Sequence, residues 1–217
     1  MLILAFDTAT PAVTAAVHDG QRVLAEITTV DARRHGELLA PSIAGVLSQA
    51  GATREDVTTV AVGVGPGPYT GMRVGLVTAR VLGAVLGVPA VGVCTLDVLA
   101  RDAVSAAAGR EFLVATDARR KEVYWARYSA AAERIAGPDV SSPASLGGAA
   151  PVAGEGPWLY PEIFPDRIGS RFPSASVLAD FVSERLAARA PLLSVQPLYL
   201  RRPDARVPGP LKRVSPA

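Results

Sequence analysis

The sequence is poor in the residues that form disulfides and metal sites, with one cysteine and two histidines among 217 residues. Cys94 has no partner for a disulfide, and its apolar neighbours predict a buried thiol in a reducing cytoplasm. His18 precedes a turn on an alternating strand and is expected to face solvent. His35 opens a helix near Glu37. No His, Cys and Asp cluster stands at ligand spacing, so the sequence predicts neither a metal site nor a catalytic residue.

Long apolar runs are also missing. An uncharged stretch at residues 81–96 is shorter than the roughly 20 residues of a membrane span and is interrupted by glycines and a proline. The apolar start, Met1 to Phe6, has no basic lead, and Asp7 interrupts it too early for a secretory signal. We therefore expect a cytoplasmic protein with no membrane partner.

The chain also has little excess of charge of either sign. The formal net charge of +2 is too small to indicate nucleic-acid binding by itself. Basic residues are densest at residues 201–217, where they alternate with prolines. A solvated, disordered tail is the favoured interpretation of this segment, with an RNA-contacting arm as the alternative.

Glycine and proline are abundant between Gly63 and Arg73, where an apolar strand pattern changes to a helical one. Free amide groups at the start of the following helix could bind an anion. No lysine follows as in a P-loop, and Thr70 stands where a dinucleotide-binding fingerprint has its third glycine. The run therefore allows a phosphate site at Gly65 and Gly67 without specifying one.

The first half of the chain has the pattern of a ribonuclease H-like unit. Apolar alternation predicts a three-stranded meander over residues 2–27, with a turn at Asp19 and Gly20. A helix follows around residues 39–50, where Pro41 predicts a start just before it or a kink. A strand at 60–64, a helix at 70–86 and a strand at 90–93 complete the unit.

The plan restarts at Phe112 to Asp117, which mirrors Leu2 to Asp7 as an apolar strand ending in aspartate. The second half is smaller and irregular, with a clear helical pattern only near residues 177–186. The sequence thus predicts an α/β fold of two ribonuclease H-like halves in an actin and sugar-kinase-like (ASKHA) arrangement, with a degenerate second half. We place the halves at residues 1–108 and 109–217, expect residues 191–200 to pack back on the first half, and assign 201–217 to the tail.

In such an architecture a nucleotide lies between the halves. Asp7, Thr8 and Thr10 stand where phosphates and metal would be held, and Asp117 stands at the matching place in the second half. Such residues at strand ends also form turns and local backbone hydrogen bonds, so both interpretations stay open. The candidate vestigial phosphate site comprises Asp7, Thr8, Thr10, Gly65, Gly67 and Asp117.

Small residues recur at every fourth position of the long helix, at Gly71, Gly75, Ala79, Gly83 and Gly87. Each interior glycine costs a helix roughly 1 kcal/mol relative to alanine, so close packing must return that stability. The ridge packs either within this chain or against a partner helix. Spacing alone does not distinguish the two.

Six segments carry a family resemblance in order along the chain: LAFDTAT, RRHGELLAP, VGVGPGPYTGMRVGLVTA, VGVCTLDVLA, TDARRKEVYWARY and QPLYLRRPDA. Together, from Leu4 to Ala205, they resemble the TsaB (YeaZ) family. Members of that family most often carry GPGSFTGLR in the loop. Here Pro68, Tyr69 and Met72 replace its Ser, Phe and Leu.

The resemblance implies a non-catalytic subunit. The enzymatic relative TsaD carries an N-H-x-x-G-H metal motif, and Thr95 and Leu99 stand here in place of its histidines. TsaB proteins are expected to dock on TsaD, with the ATPase TsaE joining, to form N6-threonylcarbamoyl groups on the adenosine after the anticodon of tRNAs that read ANN codons. The tRNA would be reached through the complex. No cofactor is expected in this chain, and ATP or ADP only in the complex.

The resemblance also implies an interface on the two helices of the first half, which would serve a heterodimer or, for the chain alone, a homodimer. The implied interface residues are His35, Leu39, Ile43, Gly71, Met72, Val74, Gly75, Ala79 and Leu82. An enzyme is the alternative, either a nucleotide-dependent transferase using Asp7, Thr8 and the glycine-rich turn, or a peptidase of the wider family.

Overall fold

A computed structural model describes residues 1–201. The strands are β1 (Ile3–Asp7), β2 (Ala12–His18), β3 (Val23–Val30), β4 (Thr59–Gly63), β5 (Ala90–Val93), β6 (Phe112–Asp117), β7 (Val123–Tyr128), β8 (Arg134–Ser141) and β9 (Val152–Ala153). The helices are α1 (His35–Gln49), α2 (Tyr69–Leu86), α3 (Thr95–Ala103), α4 (Gly156–Leu159) and α5 (Ala175–Ala187). The predicted tail, with the end of the QPLYLRRPDA match, lies outside the described residues apart from Arg201.

The first sheet has the strand order β3-β2-β1-β4-β5. Strands β1 to β3 form the predicted antiparallel meander, and β4 and β5 add to β1 in parallel. The turn between β2 and β3 contains Gly20 at φ +98°, a conformation that favours glycine. Helix α1 begins at His35, well before Pro41, so the predicted start just before that proline is wrong.

The second sheet repeats this plan on a smaller scale, with the order β8-β7-β6-β9. Strand β6 stands in the place of β1, and the two-residue strand β9 pairs with it in parallel as β4 pairs with β1. Within residues 1–201 this sheet has no counterpart of β5. The predicted fold class, two ribonuclease H-like halves with a smaller second half, is confirmed.

Two helices cross between the halves. Helix α3 lies beside the first half in sequence, yet Leu96 and Leu99 pack in one core cluster with Phe112 and Val114 of the second sheet. Helix α5 crosses in the opposite sense and packs on β1, β2 and β4. The division at residue 108 does not describe this packing, because each sheet takes an apolar helix from the other side of that boundary.

The segment after α5 lies against the first half. Gly92 N–H donates to Leu193 O at 2.7 Å, Leu193 N–H donates to Gly92 O, and Leu198 N–H donates to Val64 O at 2.9 Å. Arg80 of α2 holds the same segment through the carbonyl of Val195. The last described residues are thereby fixed beside the start of α2. Among the helices of residues 1–201, none is long and apolar enough to cross a bilayer.

Candidate functional site

Asp7 ends β1 and is fully buried at the junction of the two halves. Its Oδ1 accepts a hydrogen bond from Ala9 N–H at 2.6 Å, and its Oδ2 accepts one from the Thr95 hydroxyl at 2.7 Å. Burial, the largest effect, raises the pKa of Asp7 from 3.8 to about 6, against the hydrogen bonds and nearby His35 that lower it. The carboxyl group is therefore engaged within the chain and has no exposed face for a phosphate or metal.

The glycine-rich turn closes over the same point. A Cβ at Gly63 would lie 1.8 Å from Asp7 Oδ2, and one at Gly67 would lie 2.0 Å from the carbonyl oxygen of Ala9. The turn thus uses its glycines for close contact with the end of β1. Thr8 and Thr10 are also buried. The predicted phosphate-site residues lie together, but Asp7 is closed off. The open space beside them is a pocket of about 260 Å³ that Thr8 and Thr10 line and a cavity that Gly67 lines.

Thr8 is bound into α2. Its hydroxyl donates to the carbonyl of Gly71 at 2.8 Å and accepts from the N–H of Gly75 at 3.0 Å. These are two groups that an α-helix ordinarily pairs with each other. Thr8 therefore fixes the first turns of α2 on β1 by inserting a side chain beside the helix backbone.

His35 and Thr10 join α1 to the same junction. The imidazole Nε2 lies 2.7 Å from the carbonyl oxygen of Thr10, which can only accept, so Nε2 donates this hydrogen bond. Thr10 Oγ1 accepts from Ala12 N–H at 3.3 Å. Through this hydrogen bond His35 positions the start of α1 against the end of β1.

Asp117 stands apart from this closed group. Its carboxylate accepts from the backbone N–H of Arg119 at 2.7 Å and pairs with that guanidinium at 3.1 Å. The pair lies at the β6–β7 turn, facing the glycine-rich turn across the gap between the halves, where Arg119 lines a pocket of about 260 Å³ with His35 and Thr70. The structure brings Asp7, Thr8 and Thr10 together, whereas Asp117 stays across the gap.

Thr95 and Leu99 occupy the positions of the TsaD histidines. Leu99 is fully buried against the second sheet. The Thr95 hydroxyl donates to Asp7 and accepts a hydrogen bond from the N–H of Gly65. Within residues 1–201 no three His, Cys, Asp or Glu residues are grouped as a metal site would require. Cys94 beside them is buried, which raises its pKa to about 12 and keeps the thiol protonated.

The small-residue ridge packs inside this chain from Gly71 to Gly83, whereas Gly87 is exposed and caps the C-terminal end of α2. Leu39, Gly71, Met72, Gly75 and Ala79 are all buried. A Cβ at Gly75 would lie 2.6 Å from Thr8 Oγ1, because α2 approaches β1 that closely. These five predicted interface residues cannot contact a partner directly in this conformation. The buried alternative explains the ridge.

The remaining predicted interface residues are closer to the surface. Ile43, Val74 and Leu82 are half-buried, and His35 is almost buried. Partner contact at these positions stays a prediction.

The opposite face of α2 carries an apolar stripe that the sequence analysis missed. Val77, Val81 and Val85 are 54, 53 and 75% exposed and follow each other at every fourth position. Their spacing could have revealed the stripe, since the same period marks the buried ridge on the other face. We call these three residues the valine stripe.

His18 does not face solvent as expected. It is buried, its Nε2 lies 2.9 Å from Asp180 Oδ1, and its Nδ1 accepts from Gly20 N–H at 2.8 Å. The prediction from the alternating pattern was wrong because α5 covers the face of the first sheet that was expected to be exposed to solvent. Since Gly20 occupies Nδ1, this histidine–carboxylate pair cannot activate a nucleophile through that nitrogen.

Comparison with known proteins bears on this arrangement. The family model described as "TsaD: tRNA N6-adenosine threonylcarbamoyltransferase" matches residues 22–181. The solved structure of YeaZ from Pseudomonas aeruginosa superimposes with a TM-score of 0.80 at 28% identity, over 92% of this chain and 99% of that one. The chain belongs to the TsaB (YeaZ) family.

Two relatives show how much of the chain is covered by sequence similarity. An uncharacterized protein of Mycobacterium tuberculosis H37Rv is 44% identical over 213 residues, covering 94% of this chain and 93% of the relative. The protein of Escherichia coli K12 named tRNA threonylcarbamoyladenosine biosynthesis protein TsaB is 37% identical over 128 residues, covering 59% of this chain and 55% of that protein.

Proposed function

We propose that this chain is a non-catalytic subunit required for threonylcarbamoylation of the adenosine 3′ to the anticodon in tRNAs that read ANN codons. It acts by binding a TsaD-type transferase, and a TsaE-type ATPase joins the pair. The relatives named for threonylcarbamoyladenosine biosynthesis and the match to the TsaD family model support this role.

The observation that carries the non-catalytic part of the proposal is the closed junction around Asp7. A carboxyl group with both oxygens bound within the chain, and with glycine-rich backbone pressed against it, cannot hold a metal–nucleotide complex without opening the fold. Thr95 and Leu99 supply no imidazole at the positions of the TsaD metal motif. Catalysis is thus left to the partner, and any ATP or ADP belongs to the complex.

The surface that we assign to the partner is the valine stripe with its half-buried neighbours Val74 and Leu82. Three valines exposed on one helix face form an apolar band. Exposed apolar patches of this kind are typical of surfaces that bind another protein. An apolar helix face is well suited to ridge-and-groove packing with a partner helix. In the absence of TsaD, a second copy of this chain covers the same band, which makes the homodimer a resting state.

The alternative is an enzyme, and the described residues favour it less. A transferase would need nucleotide access to Asp7, which is fully buried, although Thr8 lines the pocket of about 260 Å³ beside it. One solved relative from Pseudomonas aeruginosa is described as similar to the peptidase YeaZ. The histidine–carboxylate pair of this chain, His18 with Asp180, has its free ring nitrogen taken by Gly20.

Reconstitution tests the proposal. Threonylcarbamoylation of tRNA is measured by nucleoside mass spectrometry with TsaD, TsaE and threonylcarbamoyl-adenylate, with and without this chain. We expect modification to require the chain and to survive Asp7→Asn, which keeps the shape of the buried group. Equal modification without the chain contradicts the proposal, and loss of modification with a folded Asp7→Asn variant supports the enzyme alternative.

A further inference from the structure

A cavity of about 580 Å³ lies where the glycine-rich turn, the β6–β7 turn and the last described residues meet. Its lining includes three tyrosines and two arginines: Tyr69, Tyr124, Tyr199, Arg119 and Arg201. Its volume is within the range of about 300–1,000 Å³ that is usual for small-ligand pockets. Gly67 of the glycine-rich turn also lines this cavity, whereas Asp7 does not.

Two of the tyrosines form an exposed stack at the cavity. The rings of Tyr69 and Tyr199 are 5.5 Å apart with 23° between their planes, and the residues are 58 and 49% exposed. The guanidinium of Arg73 lies 4.9 Å from the centre of the Tyr69 ring. Aromatic rings beside arginine are the groups on which proteins stack unpaired nucleobases.

The opposite wall of the cavity is a basic turn in an unusual conformation. Arg119, Arg120 and Lys121 have φ angles of +63°, +54° and +62°, a region that residues with side chains rarely adopt even singly. Backbone strain of this kind persists where the position of the side chains matters. The turn places Arg119 in the cavity wall, facing the tyrosine stack across the cavity.

We infer that this cavity binds an unpaired base of single-stranded RNA, which stacks on Tyr69 and Tyr199 while Arg119 contacts the adjoining phosphate. The inference rests on the proposed function, since it gives this chain a direct share in holding the tRNA substrate. A strand is favoured over a free nucleotide because further cationic residues flank the lining residues, with Arg73 against the Tyr69 ring and Lys121 in the same turn as Arg119.

The test uses the full chain and a single-stranded oligoribonucleotide with a central 2-aminopurine, whose fluorescence falls when it stacks. We expect saturable binding with quenching. Tyr69→Ala weakens binding about tenfold and removes the quenching, whereas Tyr69→Phe keeps both. Arg119→Gln weakens binding and lowers the slope of log affinity against log salt by about 0.7, the contribution of one phosphate contact.

Matched controls separate this site from general attraction. Trp158→Ala removes another exposed ring that stacks with arginine, and Arg54→Gln removes another exposed guanidinium paired with a carboxylate. Both should bind like wild type. Absence of binding, quenching that persists in Tyr69→Ala, or equal affinity for 2-aminopurine ribonucleoside monophosphate and for the strand would each overturn the inference.

The two proposals fail separately. The RNA assay uses this chain alone, whereas the reconstitution measures its effect on TsaD. If modification requires the chain but the chain does not bind the oligonucleotide, only the RNA site is wrong. If the oligonucleotide binds through Tyr69 but modification proceeds equally without the chain, the proposed function is wrong and the RNA site stands.

Discussion

The hydroxyl of Thr95 donates a 2.7 Å hydrogen bond to the buried carboxyl group of Asp7 and accepts one from Gly65 N–H. Asp7 ends the first strand, whereas Thr95 begins α3, the helix that packs under the second sheet. One hydroxyl therefore connects β1 and the glycine-rich turn to α3, the helix that packs on the second sheet. At this point the junction is filled by the chain's own side chains and backbone.

The buried carboxyl group makes stability depend on pH in a defined direction. The pKa of Asp7 is about 6 in the folded chain against an ordinary 3.8, so the folded state binds this proton more tightly than the unfolded state. The resulting stabilisation is complete below pH 3.8 and is lost as pH rises through 6. The shift of roughly two units corresponds to about 3 kcal/mol.

Asp7→Asn should remove this dependence, because the amide keeps the shape and carries no proton equilibrium. We expect the variant to gain stability relative to wild type as the pH rises from 4.5 to 8, by about 2 of the roughly 3 kcal/mol, because part of the effect is already lost at pH 4.5. Urea unfolding at several pH values measures the difference, and other titrating groups cancel between the two proteins. If the stabilities of the two proteins changed with pH in parallel, the pKa of Asp7 would be ordinary in the folded state, contrary to this prediction.

Two helical glycines should respond in opposite directions to alanine. At Gly75 a Cβ would lie 2.6 Å from Thr8 Oγ1, whereas at Gly36 of α1 nothing lies within 4 Å. Gly75→Ala displaces the threonine from its two hydrogen bonds and should cost about 1–3 kcal/mol. Gly36→Ala should instead gain up to about 1 kcal/mol from helix propensity.

Urea midpoints of the two variants check this pair. Stabilisation of both would mean that α2 lies farther from β1 than the structure shows. For the same reason a larger substitution such as Gly75→Leu would be a poor test of partner binding. It perturbs the packing of α2 on β1 before it reaches any surface.

The sequence predicted the strands and helices up to β6 well, apart from α3, because their apolar periods are strong. It missed α3, β8, β9 and α4. The strand patterns at 90–93 and 112–117 match β5 and β6 residue for residue. Spacing cannot identify which element packs on a face, and this limit produced the errors. The ridge from Gly71 to Ala79 has the same period whether β1 or a partner lies against it.

Burial of β2 shows the same limit. All seven of its residues are buried, so the rule that alternate residues face solvent does not apply. The cover is α5, which arrives from residues 175–187, far along the chain. His18 faces this helix, and the residues around position 18 contain no pattern that predicts the contact.

The His18–Asp180 contact should therefore contribute to stability and not to catalysis. His18→Ala leaves a cavity at a buried position and an unpaired, half-buried Gly20 N–H, which should cost about 2–3 kcal/mol. Asp180→Ala should cost under about 1 kcal/mol, because the Asp180 side chain is 46% exposed and water replaces its partner. Chemical denaturation distinguishes the two, and equal costs would mean that the ion pair, not the burial of His18, dominates.

The valine stripe offers a sharper test of partner binding than the buried ridge does. Val81 is 53% exposed, so Val81→Glu should leave the fold intact while placing a charge in the proposed apolar interface. We expect affinity for TsaD to fall at least tenfold and tRNA modification to fall with it. Ile135→Glu is the matched control, because Ile135 is 51% exposed on β8 in the second half.

Calorimetry with TsaD measures both variants. If Val81→Glu binds like Ile135→Glu while circular dichroism shows both folded, the partner does not cover this face of α2, and the half-buried residues of α1 become the place to look.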